Sequence, residues 1–201
     1  MKMKLAIALL LTSALAAFTT GCHTPTHAIT LNPVSIPDVS IPQPSIKRNG
    51  TLGVQFSDAR AEKPNVGKLG GRIIRVNAIL TVNGGLEPRL TEIFKGVLER
   101  AGYTVVQGAQ PMLEGEVREF LVYGNGWTQG AKEKIRVRLR DKEGHVLWER
   151  SFKGEDGGID MAESFAEKSM NVALTRLLAD AMDEFTSESF SQSVGKGAPD
   201  Q

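Results

Sequence analysis

The densest chemistry in this chain is a row of five cations, Lys132, Lys134, Arg136, Arg138 and Arg140, spaced by two along one segment. Side chains alternate faces along a strand, so the five share one side while Ile135, Val137 and Leu139 point to the other. Such a row can meet the phosphates of lipopolysaccharide, anionic lipid headgroups or an acidic protein surface. It also has a plainer reading, as the watered face of a two-layer fold neutralised by Glu114, Glu116 and Glu149 on neighbouring strands. Hairpin geometry bears on the choice. A two- or four-residue loop sets Arg136 opposite Glu149, whereas a three-residue loop with Gly144 as a bulge sets Arg138 opposite Trp148. Trp127, among glycines and polar residues, is a second contact candidate, since an exposed Trp can anchor a partner; more often such a ring folds back onto its own protein. Asp58 and Arg60, one residue apart, fall on one side and are expected to form a local ion pair, of little energetic weight if exposed.

Catalytic constellations are missing from this inventory. The segment Gly67–Gly71 lacks the GxxxxGK[ST] spacing that cradles phosphate, and neither GxSxG nor HExxH occurs. No acidic residue stands in an apolar run of the kind that would keep a sugar-cleaving acid protonated. His23 and His27 have no other ligand-bearing residues around them, and His145 stands alone beside a turn. The sequence therefore predicts no catalytic residue, no metal site and no cofactor.

The single thiol, Cys22, excludes an intramolecular disulfide. Its surroundings suggest another fate. Lys2 and Lys4 precede an apolar run of 14 residues, Leu5–Phe18, short of the roughly 20 needed to span a bilayer and proportioned like a secretory signal. Thr19-Thr20-Gly21-Cys22 resembles a lipobox, with Thr19 where Leu is usual. That resemblance implies cleavage before Cys22, a thioether to diacylglycerol, and N-acylation with a chain such as palmitate. Several acyl chains make a stable anchor where one is marginal. His23 follows the cysteine instead of the Asp associated with inner-membrane retention, so the expected address is the outer membrane, facing the periplasm.

The elements that must position the cationic row follow from periodicity. With 41% hydrophobic and 23% charged residues among 201, the chain can bury a core of one ordinary domain. Removing Lys2 and Lys4 leaves 22 basic against 23 acidic residues, a balance that argues against nucleic-acid binding. Residues 1–21 read as signal peptide, 22–50 as lipidated Cys and Pro-rich tether, 51–188 as the domain and 189–201 as a flexible tail. Within the tether, residues 29–46 are rich in β-branched residues and either dock as an edge strand or stay a spacer. Leu52, Val54 and Phe56 alternate as in a half-buried strand, Asp58–Gly71 reads as a loop, and Arg72–Val82 as a strand. Leu86–Gly102 carries an apolar stripe of helical spacing and a glycine stop. Strands are expected at Tyr103–Gln107 and Met112–Tyr123, then a hairpin Glu133–Arg140 with His145–Lys153, a break at Gly154–Gly158, and a second helix from an Asp160/Glu163 capping box to about Ser187. The implied fold is α+β: a two-layer sandwich of a mainly antiparallel sheet of five or six strands with two helices on one face.

In order, the lipobox, the Ile/Pro-rich lead Ile29-Thr30-Leu31 to Pro44, the strand TLGVQFS into Asp58-Ala59-Arg60, the helix ending LERAGYTV and the hairpin before a C-terminal helix resemble the YajG-like family of bacterial lipoproteins. The resemblance spans most of the mature chain and implies location and shape, but no activity. The function expected is that of a non-enzymatic, lipid-anchored envelope protein that binds or scaffolds another envelope component. An accessory subunit of an outer-membrane transport or assembly complex is the alternative. A peptidoglycan or glycan hydrolase would need a solvent-filled cleft with two carboxylates.

Overall fold

The computed structural model describes residues 25–32, 48–63, 65–69, 78–124, 128–158 and 163–198. Residues 1–24 with Cys22, residues 33–47 of the tether, Trp127, Asp160 and the start of the strand expected from Arg72 lie outside the described residues.

The strands are β1 (Thr26–Ile29), β2 (Thr51–Asp58), β3 (Gly67–Leu69), β4 (Ala78–Val82), β5 (Thr104–Val105), β6 (Met112–Gly124), β7 (Gln129–Arg140) and β8 (Val146–Gly158). The helices are α1 (Leu86–Ala101), α2 (Glu163–Phe185) and α3 (Glu188–Gly197). Helices cover one face of the sheet, giving the expected two-layer α+β architecture. The sheet itself is mixed. The long β6–β7 and β7–β8 ladders are antiparallel, while β2 runs parallel to both β6 and β5, and β1 parallel to β4. Parallel pairing arises because chain excursions, with α1 among them, intervene between β2 and β6. Residues 26–29 join the sheet as β1, which begins before the 29–46 stretch read as either an edge strand or a spacer.

β6 organises the layer. Its edge away from β7 is shared by two strands: β2 pairs with Met112–Val117, and β3 reaches Val122. Core sides follow the alternation read from sequence. Leu52 and Phe56 of β2 and Ile135, Val137 and Leu139 of β7 are buried. In α1 the buried residues Leu86, Leu90, Phe94, Val97, Leu98 and Ala101 all belong to the expected stripe, and Gly102 ends the helix in the left-handed region at φ 106°.

Two departures concern the C-terminal third. The expected break at Gly154–Gly158 is strand: β8 continues, and Gly154 pairs with Glu133. Glycine is needed there because α2 lies directly on it, and a Cβ at Gly154 would collide with the carbonyl oxygen of Ala173. The expected fraying tail also folds. Ser187 caps α3 by accepting the Phe190 N–H at 3.2 Å, and Phe190 and Val194 are buried. Phe190 stacks against Trp148, Phe185 and Tyr103 at centroid distances of 4.8, 4.9 and 5.5 Å. Only two apolar residues carry the helix, too few for a stripe to be seen, although Ser-Glu at 187–188 and the i, i+4 spacing of Phe190 and Val194 are the signals.

Gly154→Ala is expected to lower stability by about 1–3 kcal/mol through forced separation of α2 from the sheet. Gly96→Ala, where an added Cβ meets nothing within 4 Å, should instead stabilise by about 0.5–1 kcal/mol through helix propensity. Urea midpoints of the two variants would check both signs.

Candidate functional site

Alternation puts Lys132, Lys134, Arg136, Arg138 and Arg140 on the face of β7 opposite the helices, each half-buried among its neighbours. Strands β6 and β8 flank the row and supply acids. Arg138 Nη2 donates to Glu116 Oε2 at 2.7 Å, and Arg140 Nε to Glu114 Oε2 at 2.8 Å. Arg136 Nη2 lies 2.9 and 2.8 Å from the two oxygens of Glu149. Lys132 Nζ sits 3.2 Å from Glu155 and 5.1 Å from the centroid of Tyr123. The hydrogen bond and charge of Glu155 raise the Lys132 ammonium above its usual value.

The hairpin register differs from both expectations. Arg138 stands opposite Glu149, Arg136 opposite Ser151 and Leu139 opposite Trp148. The connection takes five residues, Asp141–His145, and a bulge follows, with Val146 opposite Arg140. Asp141 causes the wider turn. Its carboxylate accepts the His145 N–H at 2.8 Å, while its own N–H reaches the His145 carbonyl at 3.1 Å. The shift keeps every cation on the outer face, since it displaces the pairing by two residues from the two- or four-residue case.

Two members of this face are unmatched. Lys134 stands between Glu119 of β6 and Lys153 of β8, and among the described residues neither lysine forms an ion pair. Like charges directly opposite in a sheet are destabilising. Lys153 was not among the residues singled out from sequence; the hairpin register alone reveals it.

The Asp58–Arg60 pair forms as expected, but it is buried, with side-chain exposures of 5% and 9%. Arg60 grips both carboxylate oxygens, with Nε 2.9 Å from Oδ1 and Nη2 2.7 Å from Oδ2. Its Nη1 donates to the carbonyls of Asn65 and Phe120 at 2.8 and 2.7 Å. The guanidinium thus spans the stretch of β6 edge that neither β2 nor β3 covers. Burial alone would raise the Asp58 carboxyl; hydrogen bonds and charge from Arg60 outweigh it and hold the group below its usual value. Beside it an open groove of about 580 Å³ runs along β6, lined among others by Arg60, Glu62, Asn65, Arg118, Glu119 and Tyr123.

His145 does not stand alone. Its Nδ1 lies 3.0 Å from Asp141 Oδ2, and ligand atoms of Asp141, Glu143 and His145 fall within 4.8 Å of one another. Desolvation works to raise the Asp141 carboxyl, but the hydrogen bonds from His145 keep it low. Arg140 and Lys142 crowd the same turn, the first on the Gly144 carbonyl and the second on Glu143, so the cluster is already supplied with positive charge.

No protein-family model matches the sequence, and no curated protein is similar to it in sequence. Solved structures do match. A Xanthomonas campestris protein of family DUF330 superposes with a TM-score of 0.54 at 15% identity, over 85% of this chain and 96% of that one. A Neisseria meningitidis lipoprotein aligns at a TM-score of 0.38 and 14% identity, over 67% of this chain and 99% of that one. The first is a likeness of fold; the second is looser.

Arg60→Met is expected to cost about 3–5 kcal/mol, because it leaves a buried carboxylate unpaired. The pH dependence has a definite sign. The Asp58 carboxyl is depressed in the fold, so its stabilisation is complete above its ordinary value of 3.8 and is lost as pH falls below it. Denaturation from pH 3 to pH 7 should show this loss in the wild type and not in Asp58→Asn/Arg60→Met.

Proposed function

We propose that this chain is a non-enzymatic lipid-anchored protein of the cell envelope, of the YajG-like kind, which docks the open face of its hairpin sheet on an acidic envelope partner. The anchor is Cys22 acylated behind a cleaved signal, at the outer membrane and facing the periplasm. Among the described residues no helix is long and apolar enough to cross a membrane, which is consistent with attachment by lipid.

The observation that carries the docking reading is the Lys134–Lys153 juxtaposition. Arg136, Arg138 and Arg140 spend their charge on cross-strand acids and hold the ladder together. The two lysines face each other across β7 and β8 without an ion pair, with Glu119 opposite Lys134 on β6, and an anionic group placed over them would lower their mutual repulsion.

Non-enzymatic character is supported by the placement of carboxylates. Glu62 and Glu119 line the groove beside β6, but Arg60 and Arg118 line it with them. The carboxyl most thoroughly stripped of water, Glu133, is inside the core and not among the groove residues.

Cys22→Ser should move the protein from the membrane to the soluble periplasmic fraction or stop its processing. An unmodified thiol on the native N-terminal peptide, seen by mass spectrometry, would refute the anchor. Lys134→Gln with Lys153→Gln should leave the unfolding midpoint equal or higher while sharply reducing crosslinks to a partner in intact cells. Undiminished crosslinking would refute the docking face.

A further inference from the structure

Alternation along β7 brings Gln129, Ala131, Glu133 and Ile135 to the side that α2 covers. Glu133 is 2% exposed and Gln129 4%. Both carboxyl oxygens of Glu133 are sealed from water without a hydrogen-bond partner, and so are Gln129 Oε1 and Ser169 Oγ of α2. Orphaned buried oxygens are uncommon, and a charged one is the costliest kind. Here three residues form an unmet polar seam in an otherwise apolar interface.

The path of the helix explains why the seam is tight. α2 runs back antiparallel over β8. Phe165 lies against Gly158, Ala173 sits on Gly154, and Glu184 accepts from the Trp148 indole at 3.2 Å. Ser169 falls between the first two of these contacts. Gly154 is the cross-strand partner of Glu133, so Glu133 lies beside the point where Ala173 of α2 sits on the sheet backbone.

The facing elements do little for a charge. From β6 the partner of Glu133 is Phe120, with Val122 beyond it. From β8 the neighbours on that face are Phe152, Gly154 and Asp156, and Asp156 is bonded to Arg176 of α2 at 3.1 Å. Elsewhere on α2, Glu167 is turned to the Thr30 N–H, and Lys168 and Asp180 are exposed. Burial alone pushes the Glu133 carboxyl well above its ordinary value of 4.5.

We propose that Glu133 is a proton-controlled latch on α2: protonated, it lets the helix seal the β7–β8 hairpin, and its ionisation is relieved by lifting residues 163–177 to admit water. Gly157 and Gly158, at the end of β8, provide the pivot. Lifting would uncover the apolar sides of Met170, Leu174 and Leu177, now fully buried. The latch rests on neither the anchor nor the docking face. In the lifted state the carboxyl regains an ordinary value near 4.5, so opening should grow about tenfold per pH unit above it, up to the value of the closed state.

Hydrogen exchange on the full chain between pH 5 and pH 9, corrected for intrinsic rates, tests this. The expected result is opening of residues 163–177 that climbs with pH, by up to about tenfold per unit, and levels off where the closed-state carboxyl ionises, with the β6–β7 ladder unaffected. Glu133→Gln, neutral at every pH, should abolish the climb. A flat wild-type profile, an equal slope in Glu133→Gln, or equal opening of the β6–β7 ladder would overturn the latch. Should the variant fail to fold, the carboxyl carbon-13 shift of Glu133 in the wild type decides: a protonated carboxyl at pH 7 with α2 closed supports the latch, and an ionised one with α2 closed overturns it.

Discussion

Helix α2 rests on bare backbone at Gly154, and that contact sets the separation of the two layers. A helix brought this near at its middle must diverge toward its C-terminal end, because its side chains grow from Ala173 to Phe185 while its partners grow from Gly154 to Trp148. The wider end is filled with rings: Trp148 and Phe152 from β8, Phe185 from α2, each within 6.4 Å of another. Even so, the wedge stays open at its mouth. α3 closes it with Phe190, which explains why a polar C-terminal segment folds at all. Its helix is stabilised by the pocket it plugs more than by its own propensity.

A second constraint comes from β6, the one strand with neighbours along its full length on one edge and a divided edge on the other. Where β2 turns away and β3 has yet to arrive, backbone carbonyls would face the interior unpaired. Arg60 answers two of them and is itself neutralised by Asp58, whose N–H is in turn held by Glu87 at the start of α1 at 2.7 Å. One guanidinium therefore ties a loop, a sheet edge and, through Asp58, a helix terminus. Its fork of donors suits this job, whereas a lysine could serve only one direction at a time.

The parts of this fold legible in the sequence are those with a period. Helix α1 and the in/out alternation of β7 are stated by residue spacing, and the structure keeps them. What spacing could not state is where elements approach one another. Gly154–Gly158 reads as a break because glycine usually interrupts a strand; here it is strand that a helix needs bare. Glu133 reads as one more polar residue at a strand start, because β7 begins four residues earlier, at Gln129. The hairpin register escaped for a local reason. Asp141 captures the His145 N–H, widens the turn and introduces a bulge, a choice that no count of loop residues reveals.

That register also gives the cationic face its meaning. The arginines reach diagonally: Arg138 passes Glu114, directly opposite it, to bond Glu116, and Arg140, opposite Met112, bonds Glu114. Long side chains on a twisted sheet favour such diagonals. Glu114, Glu116 and Glu149 are thereby committed to arginines, and Glu116 is shared between Arg138 and Arg118. Lys134 has Glu119 opposite it on β6 and Lys153 opposite it on β8, and among the described residues it forms an ion pair with neither strand's acids. The unmatched pair is a local loss in folding stability of the sort that binding can recover, and it marks where on this face an anion would gain most.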